Sequence, residues 1–170
     1  MDGLKAAVVL FIACLLQLSV LTEYHPFRTA SIVLVALLSI ALLRGSLFGA
    51  VAGFAVGLML DTGTLGTLGV TSLLLTIAGF WIGRYGETTA RDRFHAPFLS
   101  VAVVTMLYVF GQLTLEFVLG EAAPAGAAVR GVPGALLLNL LLTLPVYALA
   151  RRLFPPQELG DRVREVRLLG

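Results

Sequence analysis

Carboxylate and amide side chains inside apolar runs are the residues of this 170-residue sequence best suited to carry chemistry. Asp61 and Glu116 could bind and release protons, and Gln112 and Asn139 could hydrogen-bond a ligand or a neighbouring helix. A proton-coupled transporter would need such a carboxylate near the middle of the membrane, on a gated path. Both carboxylates instead lie toward one end of their apolar runs, so we expect structural anchors rather than proton carriers.

The other reactive side chains are too few or too scattered to predict a site. Cys14 is the single cysteine, so it can form neither an internal disulfide nor a thiolate metal cluster. The two histidines, His25 and His95, have no cysteine partners for a shared metal ion. The sequence contains no Ser-His-Asp set, no H-E-x-x-H motif and no Walker A loop. We therefore predict a protein that is not an enzyme and that binds neither cofactor nor metal.

The composition indicates that hydrocarbon surrounds the chain. Hydrophobic residues make up 58% of the sequence and charged residues 13%, with a mean hydropathy of +0.96. The net charge of +2 is too small to indicate nucleic acid as a partner. We expect an all-α integral membrane domain over residues 1–154 and a short basic amphipathic cytoplasmic tail over residues 155–170. That tail either lies on the membrane surface or against a partner, or is frayed.

Six apolar runs predict six transmembrane helices, over residues 4–21, 29–43, 45–61, 71–83, 97–119 and 135–154. A tight turn is expected at Arg44 and Gly45, because the apolar stretch around them is too long for one crossing of about 30 Å. Segments 61–69, 84–95 and 120–134 are rich in turn or polar residues and predict loops. Pro145 lies inside the sixth helix, where neighbouring groups must satisfy the carbonyl that it frees.

The distribution of basic residues predicts that both termini are cytoplasmic. With six spans, ten of the twelve Lys and Arg residues fall on one side of the membrane, and such an excess marks the cytoplasmic side. The main markers are Arg44, Arg84, Arg91, Arg93, Arg151 and Arg152. Arg28 and Arg130 fall on the other side, where they are candidate partners for Asp61 and Glu116.

A row of glycines dominates the third predicted helix. Gly45, Gly49, Gly53 and Gly57 follow one another at four-residue spacing, and Asp61 takes the next place. On a helix this spacing makes a ridge without side chains, which we call the glycine row. Another helix can approach such a row backbone to backbone. The sequence leaves open whether that helix is internal or belongs to a partner.

Asp61 stands where the third helix meets a turn rich in Gly and Thr. Asp side chains in such turns commonly accept hydrogen bonds from nearby backbone N–H groups, so we expect an anchor there. A solvated loop acid is the alternative interpretation. Asn would keep much of this hydrogen bonding, so we expect the exchange of Asp61 for Asn to be tolerated.

The glycine row belongs to a longer motif that resembles the rod shape-determining protein family MreD. The resemblance rests on G-F-A-V-G-L-M-L-D, which ends at Asp61, followed after six residues by L-G-V-T-S-L, which begins at Leu68 and Gly69. It is moderately specific because the glycine spacing, the acid and the L-G-V stretch occur together at fixed distances.

Weaker features extend the resemblance over the whole chain. They are the pair Glu116-Phe117, the stretch from Asn139 to Pro145 before a basic helix end, the length and the six-span hydropathy. One departure is at the start of the second helix. Members of the family often have Pro followed by Asp or Asn there, whereas this sequence reads F-R-T-A-S over residues 27–31.

The resemblance implies a non-enzymatic scaffold of the cell-elongation machinery in the bacterial cytoplasmic (inner) membrane. The implied partner is MreC, and the same complex contains penicillin-binding protein 2, RodA and MreB and regulates peptidoglycan synthesis. The implied fold resembles the S component of energy-coupling factor transporters. The alternative function is therefore a vitamin-binding S component, which would need a cavity lined by convergent polar and aromatic groups. We favour the scaffold because few such groups are available.

Overall fold

The computed structural model describes residues 2–21, 31–64, 67–88, 96–120 and 125–154. Its elements are α1 (Asp2–Leu16), which continues as a π-helical segment over Gln17–Leu21, α2 (Ile32–Arg44), α3 (Ser46–Gly63), α4 (Val70–Thr88), α5 (Ala96–Val118) and α6 (Ala125–Leu153). The predicted all-helical class is therefore confirmed for the described ranges. Among the described residues, three stretches are long and apolar enough to cross a membrane, namely Ser46–Gly63, Ala96–Val118 and Val129–Leu153.

Two predicted loops are partly wrong. α6 begins at Ala125, so most of the predicted loop over residues 120–134 is helical, and α4 continues past Arg84 to Thr88. Gly and Pro predict a loop because they weaken a helix in water, whereas apolar surroundings favour every available backbone hydrogen bond. Arg91, Arg93, the segment 27–30 and the tail over residues 155–170 lie outside the described residues.

α2 forms the centre of the bundle. All residues from Val33 to Leu43 are buried, against α1, α3, α4, α5 and α6, as expected for a helix that is hydrophobic on every side. Its 13 residues extend over only about 20 Å at 1.5 Å per residue. The helix is therefore shorter than the roughly 30 Å of hydrocarbon in a bilayer.

Contacts at one end of the bundle bring the ends of four helices to a common level. Gly45 alone joins α2 to α3, with a φ of 100° that favours glycine, so the predicted tight turn is confirmed. The Arg44 guanidinium carbon lies 5.1 Å from the centroid of the Phe154 ring, just after α6. Glu87 near the end of α4 accepts a hydrogen bond from the backbone N–H of Ser46. We call this the basic end, and the opposite end the Asp61 end.

Candidate functional site

The α3–α4 hairpin is held together by backbone-to-backbone contact along the glycine row. A Cβ atom added to Gly49 would overlap the carbonyl of Gly79, and one added to Gly53 would overlap the carbonyl of Leu75. At Gly57 it would overlap the backbone of Ser72. The row is thus filled by α4 of the same chain. Gly45 precedes α3 rather than lying within it, which corrects the expectation that all four glycines share one helix.

α4 has its own small residues at this interface, in addition to the glycine row of α3. A Cβ atom on Gly79 would overlap the carbonyl of Gly49, and one on Gly83 would overlap the backbone of Gly45. Gly86 makes the same close approach to Leu42 of α2. The signal was present as G-F-W-I-G, a second pair of glycines at four-residue spacing.

Asp61 joins the two helices at the far end of the hairpin. Its carboxylate accepts hydrogen bonds from the backbone N–H groups of Gly69 (2.8 Å), Thr71 (3.1 Å) and Ser72 (3.2 Å). These donors stand at the start of α4, where the first N–H groups of a helix have no partners within it. The side chain is 2% exposed, so the backbone donors and the positive end of the helix dipole compensate its charge. The neighbouring Leu68 is exposed.

Glu87 makes the reciprocal connection at the basic end. Its Oε1 accepts a hydrogen bond of 2.8 Å from the backbone N–H of Ser46, the first residue of α3. The Ser46 hydroxyl donates to the same carboxylate, and Arg84 lies 3.6 Å from it. The hydrogen bond from the Ser46 backbone is the main cause that lowers the pKa of Glu87. Each helix of the hairpin therefore supplies the acid that caps the other.

Asn139 connects α6 with α2 and α5 in the bundle interior. Its Oδ1 accepts a hydrogen bond of 3.0 Å from the backbone N–H of Ser31, and its Nδ2 donates to the hydroxyl of Thr105 at 3.0 Å. Asn139 and Thr105 are each 1% exposed. Gln17 completes the cap of α2, because its Oε1 accepts from the Ser31 hydroxyl and from the Val33 N–H. The Gln17 amide oxygen is thus an acceptor between helices.

Gln112 links α5 to the start of α4. Its amide donates to the hydroxyls of Thr71 (3.3 Å) and Tyr108 (3.0 Å). The hydrogen-bonded polar side chains described above come from all six helices, and we refer to them together as the polar layer. It consists of Gln17, Ser31, Asp61, Thr71, Ser72, Thr105, Gln112 and Asn139.

The remaining predicted residues lie around this frame. Glu116 is half-buried on α5, one turn beyond Gln112, and Pro145 is exposed inside α6. Arg130 donates from its Nε to the carbonyl of Gly126 in its own helix, rather than to Asp61. The basic markers Arg151 and Arg152 are exposed in the last turn of α6.

An open groove of about 510 Å³ lies between α1 and α3, beside the glycine row. Its walls are apolar, and small residues line both sides, including Gly3 and Ala7 on α1 and Ala52 and Ala55 on α3. Small residues on neighbouring helix surfaces allow a further helix to approach closely. The lining has no convergent polar groups of the kind that orient a small-molecule ligand.

Comparison with known families assigns the chain. The model of the family described as rod shape-determining protein MreD matches residues 4–154. The chain belongs to the MreD family. The resemblance identified in the sequence is thereby confirmed. MreD is a family of membrane proteins with a structural role in rod shape determination. Searches among curated proteins and among solved structures returned no match.

The motif that resembles MreD has a clear structural meaning in this chain. Its first half, from Gly53 to Asp61, supplies the close approach and the capping carboxylate of α3. Its second half, from Leu68 to Leu73, supplies the N–H groups that donate hydrogen bonds to this carboxylate. The residues of the MreD-like motif are therefore the residues that hold α3 and α4 together.

Proposed function

We propose that this MreD-family chain is a non-enzymatic scaffold of the cell-elongation complex in the bacterial cytoplasmic membrane, and that it docks MreC. One observation carries the proposal: the interior polar side chains bridge different helices. Asp61 joins α3 to α4, and Asn139 joins α6 to α2 and α5. Because these side chains hold helices together, they support a structural role for the protein. Through MreC, the chain would bear on penicillin-binding protein 2, RodA and MreB and so on peptidoglycan synthesis.

The scaffold would cross the membrane six times with both termini in the cytoplasm. The helix termini at the basic end carry four arginines, Arg44, Arg84, Arg151 and Arg152. This excess of positive charge supports a cytoplasmic location for that end. The Asp61 end would then face outward. Such an orientation places the short loops after α2 and α4 in the cytoplasm.

MreC would dock its single transmembrane helix in the groove between α1 and α3. The glycine row is occupied by α4, so a partner helix needs another surface. The groove is open, apolar and lined by small residues, which favours packing by close approach. Ala7 and Ala55 are exposed on its opposite walls, so a larger side chain at either position fills the groove without disturbing the interior.

Co-purification from membranes tests this proposal. Ala55→Leu and Ala7→Leu should each reduce the amount of MreC that co-purifies with the tagged chain. Ala148→Leu is the matched control, because Ala148 is also an exposed alanine but lies on α6, away from the groove. All three variants should accumulate like the parent.

Equal recovery of MreC with all four proteins would contradict docking in the groove. A chain that never co-purifies with MreC and instead retains a vitamin through purification would contradict the scaffold and support the S-component alternative.

A further inference from the structure

The distance from the polar layer to the basic end is shorter than the thickness of the bilayer hydrocarbon. Ser31 is 14 residues from Gly45 along α2, and Asp61 is 16 residues from it along α3. At 1.5 Å per residue these distances are about 21 and 24 Å. Asn139 is 14 residues from Leu153 along α6, again about 21 Å. Any tilt of the helices reduces these heights further, whereas bilayer hydrocarbon is about 30 Å thick.

The bundle differs between its two sides above this layer. On the side of α3 and α4, α3 ends two residues beyond Asp61, and Thr62 and Thr64 follow that carboxylate. α5 and α6 continue past the layer. Phe117 and Val118 near the end of α5 are 80% and 72% exposed, so the apolar surface extends further on that side.

A lipid chain of ordinary length next to α3 and α4 would therefore reach polar groups before it ends. The exposed hydroxyls of Thr62 and Thr64 donate to carbonyls of α3, and hydrocarbon against them would deprive their remaining hydrogen-bonding capacity of water. A bilayer next to a short hydrophobic surface responds by becoming locally thinner. We propose that the α3–α4 side of this protein thins the membrane beside it and preferentially contacts short acyl chains, while the α5–α6 side contacts chains of ordinary length.

Trp81 provides a direct probe, because it is the single tryptophan of the chain and is 64% exposed on α4. It lies six residues from Glu87, about 9 Å above the basic end. The full chain would be reconstituted into phosphatidylcholine vesicles with monounsaturated chains from myristoleoyl through palmitoleoyl and oleoyl to erucoyl. Quenching of Trp81 by brominated dioleoyl lipid, mixed with each of these lipids in turn, gives their relative binding constants.

The expected result is that Trp81 prefers the myristoleoyl or palmitoleoyl lipid over the dioleoyl lipid by about twofold, since mismatch costs only fractions of a kcal/mol per Å. The matched control carries Trp81→Phe and Leu144→Trp, which moves the probe to an exposed position on α6. That protein should prefer dioleoyl lipid.

A preference of Trp81 for dioleoyl or longer lipids would overturn the proposal. So would an equal preference for short chains at both positions, because the thinning would then not be confined to one side. The inference does not depend on MreC, so it stands or falls separately from the proposed docking function.

Discussion

Gly49 and Gly79 face each other across the α3–α4 interface so closely that a Cβ atom on either residue would overlap the carbonyl of the other. This reciprocity means that the contact depends on two glycines from different helices. The hairpin gains dispersion contacts along its backbone that longer side chains would prevent.

The first prediction concerns added side chains along this contact. Gly53→Ala should lower the thermal unfolding midpoint of the purified protein and its level in membranes, because the new methyl group meets the backbone of Leu75. Overpacking of this kind costs about 1–3 kcal/mol, and Gly53→Leu should cost more. Gly134→Ala is the control, since a Cβ there meets nothing within 4 Å and Ala favours a helix by about 1 kcal/mol. Equal midpoints for Gly53→Ala and Gly134→Ala would contradict the close contact.

The second prediction revises the expectation for Asp61→Asn. Both carboxylate oxygens accept hydrogen bonds, Oδ1 from Thr71 and Oδ2 from Gly69 and Ser72. Asn has one acceptor oxygen, so its NH2 group must face backbone N–H groups, which are also donors. We expect Asp61→Asn to lose about 1–3 kcal/mol of stability and Asp61→Leu to lose more.

Thermal unfolding of the detergent-purified proteins measures this loss, with Glu116→Gln as the control for removal of a half-buried carboxylate. An Asp61→Asn protein that is as stable as the parent but no longer supports rod growth would instead indicate a role for the charge itself.

The third prediction is a pH dependence at the basic end. Because the pKa of Glu87 is lowered in the folded protein, its contribution to stability is complete above the ordinary value of that pKa. The contribution is lost as the pH falls through the lowered pKa. The parent should therefore be more stable than Glu87→Gln near neutral pH, and the two unfolding midpoints should converge in acid. A difference that stays constant from neutral to acid pH would exclude this carboxylate as the cause.

The fourth prediction concerns the cap on α2. Asn139→Leu leaves the Ser31 N–H without its acceptor and the Thr105 hydroxyl without its donor. An unsatisfied buried polar group costs about 1–3 kcal/mol. Thr143→Val is the control, because the Thr143 hydroxyl donates only to the Asn139 carbonyl within α6.

Adding Thr105→Val to Asn139→Leu should recover part of the lost stability, because one orphaned hydroxyl is removed. Unfolding midpoints of the two single variants and the double variant measure this coupling. Strictly additive losses would show that the two side chains are independent.

The fifth prediction is the six-span topology with cytoplasmic termini. A reporter active only in the cytoplasm should give signal when fused after Thr88, at the end of α4, and none when fused after Gly120, beyond α5. The basic residues at the first end are the reason. The reverse pattern would invert the orientation of the bundle.

How much of this could be predicted from the sequence differs from element to element. The four-residue spacing of Gly49, Gly53 and Gly57 predicted a close helix contact, but spacing alone carries no information about which helix makes it. The four-residue spacing of Gly79 and Gly83 is also visible in the sequence, and it favours α4 as the helix that contacts the glycine row. Taken together, the two glycine pairs were a better guide than either pair alone.

Other features depend on distances that a sequence does not contain. The helical segment before Pro133 was predicted as a loop, because the turn signals of Gly and Pro reflect helix stability in water. The polar groups that meet at Ser31 come from α1, α2 and α6, and only the folded bundle brings Gln17 and Asn139 to one helix end. The same holds for Glu87, whose partner Ser46 is 41 residues away.

The capping of α4 by Asp61 has a consequence for how the protein is made. Asp61 leaves the ribosome before Gly69, Thr71 and Ser72, whose N–H groups donate hydrogen bonds to its carboxylate. α3 on its own would carry a carboxylate with no such donors into the lipid, at a cost of about 2.5–3.5 kcal/mol for an Asp near the centre of a helix and less toward its end. We therefore expect the translocon to release α3 together with α4, as one preassembled pair rather than as two successive helices.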